Sequence, residues 1–430
     1  MKVLITIGKR SEIIKTAPVI DELRKKSVST ILVDVQQQKG WFMKGSHYMD
    51  LDFQKPDYTI EFKESDLENL LDELFNIVCE EKPIYLISSG GSITTLATTI
   101  VSQMAKVPFL HIESGYRTYN LDSSEEVRRH LIDAFSSLCF APSRLSYVNL
   151  MSEGIKNDQI FLTGSTVIDT LVRYIDFARS HSKILEELEL VDEDFSLITL
   201  HKKENVTETK LRELLSALKS IDHFFVMPVH PETGKFMKKT TLYDEFLELE
   251  NLLMIEPLDY IDFIALESSS KFVITDSGTV SEESSFLGKP TIIVGETTRV
   301  ELINEKLALN IDLSKEEILK KVKEVDRIKV KRVKVARIYG SGYASEKIAD
   351  LIERARITFN PKLRYDTRLS FPKTTVIDLE NSKKPLTVTD FTLVSAIKGK
   401  KPVQGLADNP TKLLILINEN NCKSKRKSCE

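Results

Sequence analysis

Cysteine, tryptophan and long apolar runs are scarce in this chain of 430 residues. The four cysteines form no CxxC pair and have no metal-ligand spacing with histidine, which argues against a disulfide framework and a zinc site. They are Cys79, Cys139, Cys422 and Cys429. No segment approaches the roughly 20 apolar residues that span a bilayer, and the start, MKVLITIGKR, has no signal-peptide pattern. We therefore expect a cytoplasmic protein with no membrane span, no metal and no cofactor.

Charge of one sign is not in excess either. The chain has 60 Lys and Arg against 64 Asp and Glu, a formal net charge of −4 at pH 7. Composition therefore gives no indication of nucleic-acid binding, and no nucleic-acid partner is expected. The length exceeds one ordinary hydrophobic core and fits two domains of common size.

What the sequence does contain is a regular alternation of short apolar runs and amphipathic segments. In the first part, strands are predicted at 2–7, 30–35, 84–87, 107–112 and 137–141, with helices at 12–26, 67–80, 92–106 and 125–136. A second series has strands at 195–200, 223–228, 252–255, 271–275 and 290–294. Such alternation indicates doubly wound parallel sheets. The predicted fold class is α/β, with two Rossmann-like domains and an interdomain cleft of the GT-B type.

The same patterns suggest where the domains divide. An N-terminal domain is expected at 1–168, closed by a helix at 344–357, and a second domain at 169–343. The segment 180–193 is predicted to be a charged, loop-like connection, and the Lys- and Val-rich stretch 320–337 a solvated helix or strand face. Residues 358–430 differ in character and are expected to form an appended β-rich or partly disordered extension.

Five polar clusters follow predicted strands or open predicted helices, where ligands bind in open α/β sheets. They are 8–12 (GKRSE), 111–117 (HIESGYR), 124–129 (SEEVRR), 199–205 (TLHKKEN) and 275–283 (TDSGTVSEE). The first and the last open a helix, whose N-terminus attracts anions. Arg10 and Lys15 could add full charges to the first of these fields. Two such helix starts, one in each domain, with acids between them, suggest a nucleotide diphosphate lying across a cleft.

Most of these clusters also have a second interpretation. The segment 8–12 is not a GxGxxG loop, which makes NAD a weak candidate. In this interpretation, Glu113 and Arg117 form a structural ion pair, and the only role of Glu125 is a favourable interaction with the dipole of its helix. Taken together, however, Glu113 and Glu125 could supply an acid and a base from facing loops. His201 lies at a strand end and is followed by Lys-Lys-Glu, which favours a histidine of a functional site over a structural one.

In this order, the five clusters resemble the non-hydrolysing UDP-N-acetylglucosamine 2-epimerase family, over roughly residues 1–357. GKRSEIIKTAPVIDEL resembles the family stretch GTRPE-x-IK-x-AP, and HIESGYRT resembles HxEAGxRT. SSEEVRRHLIDAFSSLCFAPS is similar to PEExNRxLxDHxxxxxFAPT, FLTGSTVIDTL to xxTGNTVIDAL, TLHKKENV to THRxEN, and MPVHPETGKF to PVHPxT. The block EPLDYIDF…TDSGTVSEESSFLGKP resembles EPLxYxxF…TDSGGxQEEAxxLGxP. Its DSGT version is similar to relatives that act on other UDP-amino sugars, including diacetamido uronic acids.

The resemblance implies an isomerase that acts at C2 of a UDP-N-acetylhexosamine, of the UDP-GlcNAc/UDP-ManNAc type, by eliminating UDP and adding it back. It also implies a UDP-binding role for the second domain and a homodimer. By motif, Glu113 and Glu125 correspond to acid/base carboxylates, and His201 to a group that stabilises the departing diphosphate. The implied substrate-binding residues are Arg10, Lys15, Arg129, Phe263 at the uracil pocket, Ser277, Gly278, Thr279, and Glu283 at the ribose.

One departure from the family pattern bears on the chemistry. The family carries Gly-Asp-Thr after its fourth strand, and that Asp is a catalytic group, whereas this chain has Gly91 at the Asp position of SSGGS. HRxE has also become HKKE, which keeps the charge but loses a bidentate fork. Three alternatives to the epimerase therefore stay open: a hydrolysing relative, a glycosyltransferase that uses a UDP-sugar, and a protein that binds a UDP-sugar without catalysis.

Overall fold

The computed structural model describes residues 1–37, 51, 53–62, 66–325 and 327–354, together with four two-residue strands nearer the C-terminus. In the first part of the chain, seven strands form one parallel sheet. They are β1 (Lys2–Ile7), β2 (Ser29–Val35), β3 (Tyr58–Ile60), β4 (Tyr85–Ser89), β5 (Phe109–Ile112), β6 (Leu138–Ala141) and β7 (Ile160–Leu162). Their order in the sheet is β3-β2-β1-β4-β5-β6-β7.

Helices connect these strands on both sides of the sheet. They are α1 (Arg10–Lys25), α2 (Leu67–Glu81), α3 (Ile93–Ala105), α4 (Ser124–Phe135), α5 (Arg144–Ser152) and α6 (Thr166–His181). Helix α3 begins after Ser92, whose hydroxyl accepts a hydrogen bond from Thr95 N at 3.1 Å. This N-cap fixes the point at which the loop after β4 turns into helix.

The second part of the chain repeats the plan with six strands. They are β8 (Phe195–Thr199), β9 (Phe224–Pro228), β10 (Leu252–Ile255), β11 (Val273–Thr275), β12 (Thr291–Val294) and β13 (Ala308–Ile311), in the order β10-β9-β8-β11-β12-β13. The helices are α7 (Ile184–Glu187), α8 (Glu208–Leu218), α9 (Pro231–Lys238), α10 (Leu242–Leu247), α11 (Tyr260–Ser269), α12 (Gly278–Phe286), α13 (Val300–Asn304), α14 (Lys315–Val325), α15 (Arg332–Tyr339) and α16 (Ala344–Arg354).

Both faces of each sheet are buried. Leu4 and Ile5, successive residues of β1, belong to apolar clusters on opposite faces of the first sheet. This explains why the strands read as continuous apolar runs instead of alternating ones. One of these clusters extends across both sheets through buried residues of α6, among them Ile168 and Leu171. The two halves therefore share an apolar contact beneath the cleft.

The strand orders place the candidate residues. Each sheet reverses its winding direction once, between β1 and β4 in the first sheet and between β8 and β11 in the second. Loops that leave the carboxyl ends of the strands on either side of a reversal diverge and leave a crevice. The predicted α/β class with two Rossmann-like, GT-B-type halves is confirmed by the two sheets and by the solved structures compared below.

Several elements differ from the sequence prediction. Strands β3, β7 and β13 were not predicted, because each has only three or four residues and lies near the edge of its sheet. The expected loop at 180–193 contains the end of α6 and the one-turn helix α7. The charged stretch 320–337 is divided between α14 and α15, with Val325 and Val335 buried beneath its exposed cations.

The domain limits expected from sequence stay predictions. Helix α16 returns to the first sheet, where Lys26 Nζ lies 2.5 Å from Asp350 Oδ1. Most of the proposed extension at 358–430 lies outside the described residues. The parts described pair Leu393–Val394 with Ile415–Leu416 and Ile397–Lys398 with Lys401–Pro402. In the described part of the chain, no helix is both long and apolar enough to cross a membrane.

Candidate functional site

A single cleft of about 800 Å³ lies between the two halves. This volume falls within the roughly 300–1,000 Å³ of typical ligand sites. All eleven site residues proposed from sequence line it: Arg10, Lys15, Glu113, Glu125, Arg129, His201, Phe263, Ser277, Gly278, Thr279 and Glu283. The loops that follow β1, β4 and β5 supply one wall, and those that follow β8, β11 and β12 supply the other.

Glu113 is the most constrained carboxylate of the first wall. Its backbone has φ +63°, in the left-handed region that residues other than glycine rarely adopt. Its side chain is buried, and Oε2 lies 2.5 Å from Lys15 Nζ. Among the described residues, Oε1 of Glu113 has no hydrogen-bond partner. Strain of this kind and an unpartnered buried oxygen are features of functional sites more than of structural ion pairs.

Glu125 has a different environment. It lies in the first turn of α4, and its carboxylate accepts a hydrogen bond from Arg129, which also donates to Glu126 at 3.1 Å. Desolvation raises the pKa of Glu125, but Arg129, Lys9, Lys202 and Arg128 together lower it to about 2. The side chain of Glu125 is 44% exposed, so that the charged carboxylate is accessible from the cleft.

Gly91, where the family resemblance implies an aspartate, lies against this ion pair. A Cβ at position 91 would stand 2.8 Å from Arg129 Cγ and 3.3 Å from Glu125 Cγ. Any side chain at this position therefore requires Arg129 to move. The loop is held from the same side, because Arg128 Nε donates to the Gly91 carbonyl at 2.9 Å.

On the opposite wall, Asp276 holds His201. The buried Asp276 carboxylate accepts hydrogen bonds from the backbone of His201 and Lys202, at 3.1 and 2.9 Å, and from Asn205 Nδ2 at 3.2 Å. His201 Nδ1 lies 2.8 Å from Asp276 Oδ1, which leaves Nε2 of the ring for a ligand. Desolvation raises the pKa of Asp276, yet His201 and these donors lower it to about 2.

His230 lies next to His201, with ring centroids 5.6 Å apart. Burial, followed by the charges of His201 and Arg10, lowers the pKa of His230 to about 4. His230 is therefore neutral at physiological pH and adds no charge to this wall.

The two helix starts that sequence treated alike are not equivalent. At α1, the Glu12 carboxylate accepts hydrogen bonds from Gly8 N at 2.6 Å and Lys9 N at 3.1 Å. Two N–H groups of this turn are therefore occupied by Glu12, and phosphate binding at this helix start stays a prediction. At α12, by contrast, Ser277 caps the helix through Val280 N, and Gly278 and Thr279 are first-turn residues whose N–H groups have no intrahelical acceptor.

The Phe263 ring and the protonated carboxyl of Glu283 lie at one end of the cleft. The Arg10 guanidinium carbon lies 5.8 Å from the centroid of the Phe263 ring. Glu283 is buried in α12 and accepts a hydrogen bond from the Tyr260 hydroxyl at 2.8 Å. Burial outweighs the lowering effects of Tyr260, Arg10 and Lys15 and raises the pKa of Glu283 to about 8. Glu283 is therefore mostly protonated at pH 7.

Sequence reasoning assigned no role to a buried network beneath the cleft. Glu282 accepts hydrogen bonds from Tyr116 OH at 2.8 Å, Arg299 Nε at 2.7 Å and Ser165 Oγ at 2.5 Å. The Arg299 guanidinium also stacks on the Tyr116 ring, 3.9 Å from its centroid. These contacts join the two halves, and no local pattern could have identified them, because Tyr116 and Glu282 are 166 positions apart.

The possible ion pair between Glu113 and Arg117 is not formed. Arg117 lies 2.7 Å from Asp133 and 2.5 Å from Glu153, while Glu113 pairs with Lys15. Arg117 is therefore structural, and it fixes the loop that carries Glu113.

Comparison with known proteins agrees with this arrangement. The family model described as UDP-N-acetylglucosamine 2-epimerase matches residues 21–353. The UDP-N-acetylglucosamine 2-epimerase of Neisseria meningitidis is 32% identical, over 83% of this chain and 100% of that protein. The UDP-2,3-diacetamido-2,3-dideoxy-D-glucuronate 2-epimerase of Pseudomonas aeruginosa is 29% identical, over 82% of this chain and 100% of that protein.

A solved structure extends the likeness to three dimensions. The crystal structure of Methanocaldococcus jannaschii UDP-GlcNAc 2-epimerase in complex with UDP-GlcNAc and UDP is similar to this chain with a TM-score of 0.77 and 27% identity. The similarity covers 83% of this chain and 100% of that one. With a family model that matches most of its length, the chain belongs to the UDP-N-acetylglucosamine 2-epimerase family.

Proposed function

We propose that this protein interconverts the C2 epimers of a UDP-N-acetylhexosamine, of the UDP-GlcNAc/UDP-ManNAc type, without hydrolysing it. The observation that carries the proposal is Glu113, a buried and conformationally strained carboxylate with one oxygen held by Lys15. Its second oxygen has no partner among the described residues. A general base must be positioned by its surroundings and still have an acceptor available, and Glu113 meets both requirements.

The reaction needs a proton acceptor on one face of the sugar and a proton donor on the other. One carboxylate removes the C2 proton while the C1–O bond to UDP breaks, and the bonding electrons leave with the diphosphate. This gives a glycal with a C1=C2 double bond. A proton then returns to C2 on the opposite face as the diphosphate oxygen adds back to C1. We assign the two proton-transfer roles to Glu113 and Glu125, which lie on different loops of the same wall.

This version of the reaction works without the aspartate of the family motif. Gly91 has no ionisable side chain, and the space beside it contains Arg129 and Glu125. The Glu125 carboxylate is therefore the closest acid to the position from which the family aspartate would act. Its low pKa keeps Glu125 charged in the neutral range, so that Glu125 is the proton acceptor for one epimer and Glu113 the proton acceptor for the other, each returning a proton from solvent in the reverse direction.

The second wall suits the nucleotide. His201, oriented by Asp276, and the first turn of α12 at Ser277, Gly278 and Thr279 can stabilise the negative charge of the departing diphosphate. Phe263 offers a face for the uracil ring. Glu283, at the same end of the cleft, can bind the ribose hydroxyls. Arg10 lies between these groups and the first wall.

The test is proton NMR of the purified protein with UDP-GlcNAc in D2O. Deuterium at C2 of UDP-GlcNAc together with a UDP-ManNAc signal is the expected result, because the returning proton comes from solvent. Glu113→Gln serves as the matched control and should stop the exchange. Accumulation of UDP with free ManNAc would instead identify a hydrolysing enzyme, and binding without any exchange at C2 would contradict the proposal.

A homodimer in the cytoplasm and a UDP-binding second domain at 169–343 are part of the same proposal, as is a first domain at 1–168 that the helix at 344–357 closes. The resemblance to the family supports the dimer and the UDP-binding role, whereas the composition supports the cytoplasm and the alternation of strands and helices supports the domain limits. Size-exclusion chromatography with light scattering would test the dimer.

A further inference from the structure

His111 is a buried histidine whose two ring nitrogens both face hydrogen-bond acceptors. Its Nδ1 lies 2.6 Å from Asp133 Oδ1, and its Nε2 lies 3.0 Å from the carbonyl oxygen of Gly90. A carbonyl oxygen has no hydrogen to donate. Burial raises the pKa of Asp133, but Arg117 and His111 together lower it to about 2, so that this carboxyl is ionised and has none either. Both nitrogens of His111 are therefore donors, which is the case only in an imidazolium ion.

Asp133 connects this ring to the loop that carries Glu113. Its carboxylate also accepts a hydrogen bond from Gly115 N at 3.0 Å and lies 2.7 Å from Arg117. His111 belongs to β5, two positions before Glu113. The histidine ring is therefore held rigidly on the side of the β5 loop.

The Gly90 carbonyl belongs to the loop after β4, where one backbone group is left over. Gly90 N donates to the Ile112 carbonyl at 3.1 Å, and the Gly91 carbonyl accepts from Arg128 Nε at 2.9 Å. Among the residues that the structure describes, none accepts a hydrogen bond from the N–H of Gly91. Gly91 is nevertheless buried and lines the cleft. Buried backbone N–H groups without a partner are rare in folded proteins, which indicates a donor kept for a ligand.

The direction of this N–H follows from the position of His111. The peptide bond between Gly90 and Gly91 is trans, so that its carbonyl and its N–H point in opposite directions. The carbonyl points to the buried histidine ring, and the N–H therefore points away from it. A Cβ at Gly91 would stand 3.3 Å from Glu125 Cγ, so that the donor lies beside a carboxylate to which we assign proton transfer.

We propose that His111 is a positioning residue, whose imidazolium holds the Gly90–Gly91 peptide so that the N–H of Gly91 donates a hydrogen bond to an oxygen of the substrate's sugar. This inference rests on the proposed function, which places the sugar beside Glu125. A charged donor holds the Gly90 carbonyl more firmly than a neutral donor does. The contact needs no side chain at position 91, where Arg129 already fills the space.

The first experiment observes both groups by NMR in deuterated protein labelled with ¹⁵N at histidine and glycine, with the signals assigned through the backbone. At pH 7, both ring nitrogens of His111 should carry a proton, which is the spectroscopic signature of an imidazolium. The amide signal of Gly91 should shift when UDP-GlcNAc is added and stay in place when UDP is added, since UDP lacks the sugar.

The second experiment measures the affinities for UDP and for UDP-GlcNAc by calorimetry. His111→Phe keeps a planar ring and removes both donors. His223→Phe is the matched control, because His223 also bonds to a neighbouring strand, at 2.8 Å from Ser196 Oγ, and is not among the residues that line the cleft. We expect His111→Phe to weaken UDP-GlcNAc binding about tenfold and to change UDP binding by less than about twofold, as the loss of one hydrogen bond to the sugar implies. His223→Phe should change neither affinity.

The outcomes separate this inference from the proposed function. A His111 ring with one nitrogen-bound proton at pH 7 would overturn the inference, and so would a Gly91 amide that responds equally to UDP and UDP-GlcNAc. Equal losses of affinity for both ligands in His111→Phe would leave His111 a structural role only. The NMR results on the wild type decide the matter even if this variant does not fold.

None of these measurements depends on turnover. An imidazolium and a sugar-specific shift of Gly91, without exchange at C2, would uphold the inference and refute the proposed reaction. Exchange at C2 in a protein whose His111 is neutral would uphold the reaction and refute the inference.

Discussion

Glu267 offers a quantitative test of the charge distribution beneath the nucleotide end of the cleft. It lies in α11 with a fully buried side chain, and neither of its carboxylate oxygens has a hydrogen-bond partner among the described residues. Burial and then the nearby Glu283 carboxyl raise the pKa of Glu267 well above its ordinary value of 4.5, and Lys289 only partly opposes them. As pH rises above 4.5, the folded protein therefore keeps the proton of Glu267 to a higher pH than the unfolded chain does.

The sign and size of the effect follow from this difference. A carboxyl whose pKa is raised by folding costs no stability below pH 4.5, and it destabilises the fold progressively as pH rises towards the folded-state pKa. Between pH 4.5 and the folded-state pKa, a carboxyl of this kind costs at most about 1.4 kcal/mol for each pH unit. Glu267→Gln has nearly the same shape and cannot ionise, and it removes this cost.

The assay is urea denaturation of the wild type and Glu267→Gln at several pH values from 4.5 to 7.5. The variant should gain unfolding free energy relative to the wild type as pH rises, by up to about 1.4 kcal/mol per pH unit. The amide also needs hydrogen bonds, but that cost does not depend on pH and shifts the whole curve. The exposed Glu250→Gln is the control. Parallel stability curves for the wild type and Glu267→Gln would refute the assignment of a buried, protonated carboxyl.

Three further predictions concern the cleft. Glu113→Gln should lower kcat by about 10²–10⁴-fold, the usual contribution of a general acid or base. Calorimetry should find that the affinity for the UDP-sugar is nearly unchanged. A change confined to this affinity would exclude a role of Glu113 in proton transfer. Burial raises the pKa of Glu283 to about 8, and hydrogen bonds from the ribose hydroxyls favour its carboxylate, so that the wild type should release a proton when it binds the UDP-sugar at pH 7. Glu283→Gln should abolish this proton release, measured by calorimetry in two buffers. Unaltered proton release in the variant would place the ribose elsewhere. Gly91→Asp should lower turnover, because its side chain displaces Arg129 from Glu125, and a faster enzyme would contradict this reading of the loop.

The sequence alone predicted the architecture, and it also predicted a set of residues that share one cleft. Apolar runs long enough to be buried on both faces predicted the central strands, and short edge strands such as Tyr58–Ile60 were too brief to give a signal. Polar clusters at strand ends, read with the family motifs, gave eleven residues that all line one cleft. These residues come together because the carboxyl ends of parallel strands meet at one edge of a sheet, whatever the details of packing.

What each residue does was decided by tertiary contacts. Lys15 pairs with Glu113, and Glu12 accepts hydrogen bonds from two N–H groups before the first helix, neither of which the sequence had predicted. Arg129 fills the space beside Gly91, and Tyr116 donates a hydrogen bond to Glu282. Both contacts depend on how loops from distant strands approach one another. Sequence patterns record which side chains reach the cleft, whereas pairing, burial and pKa depend on distances of a few ångströms between segments that only folding brings together.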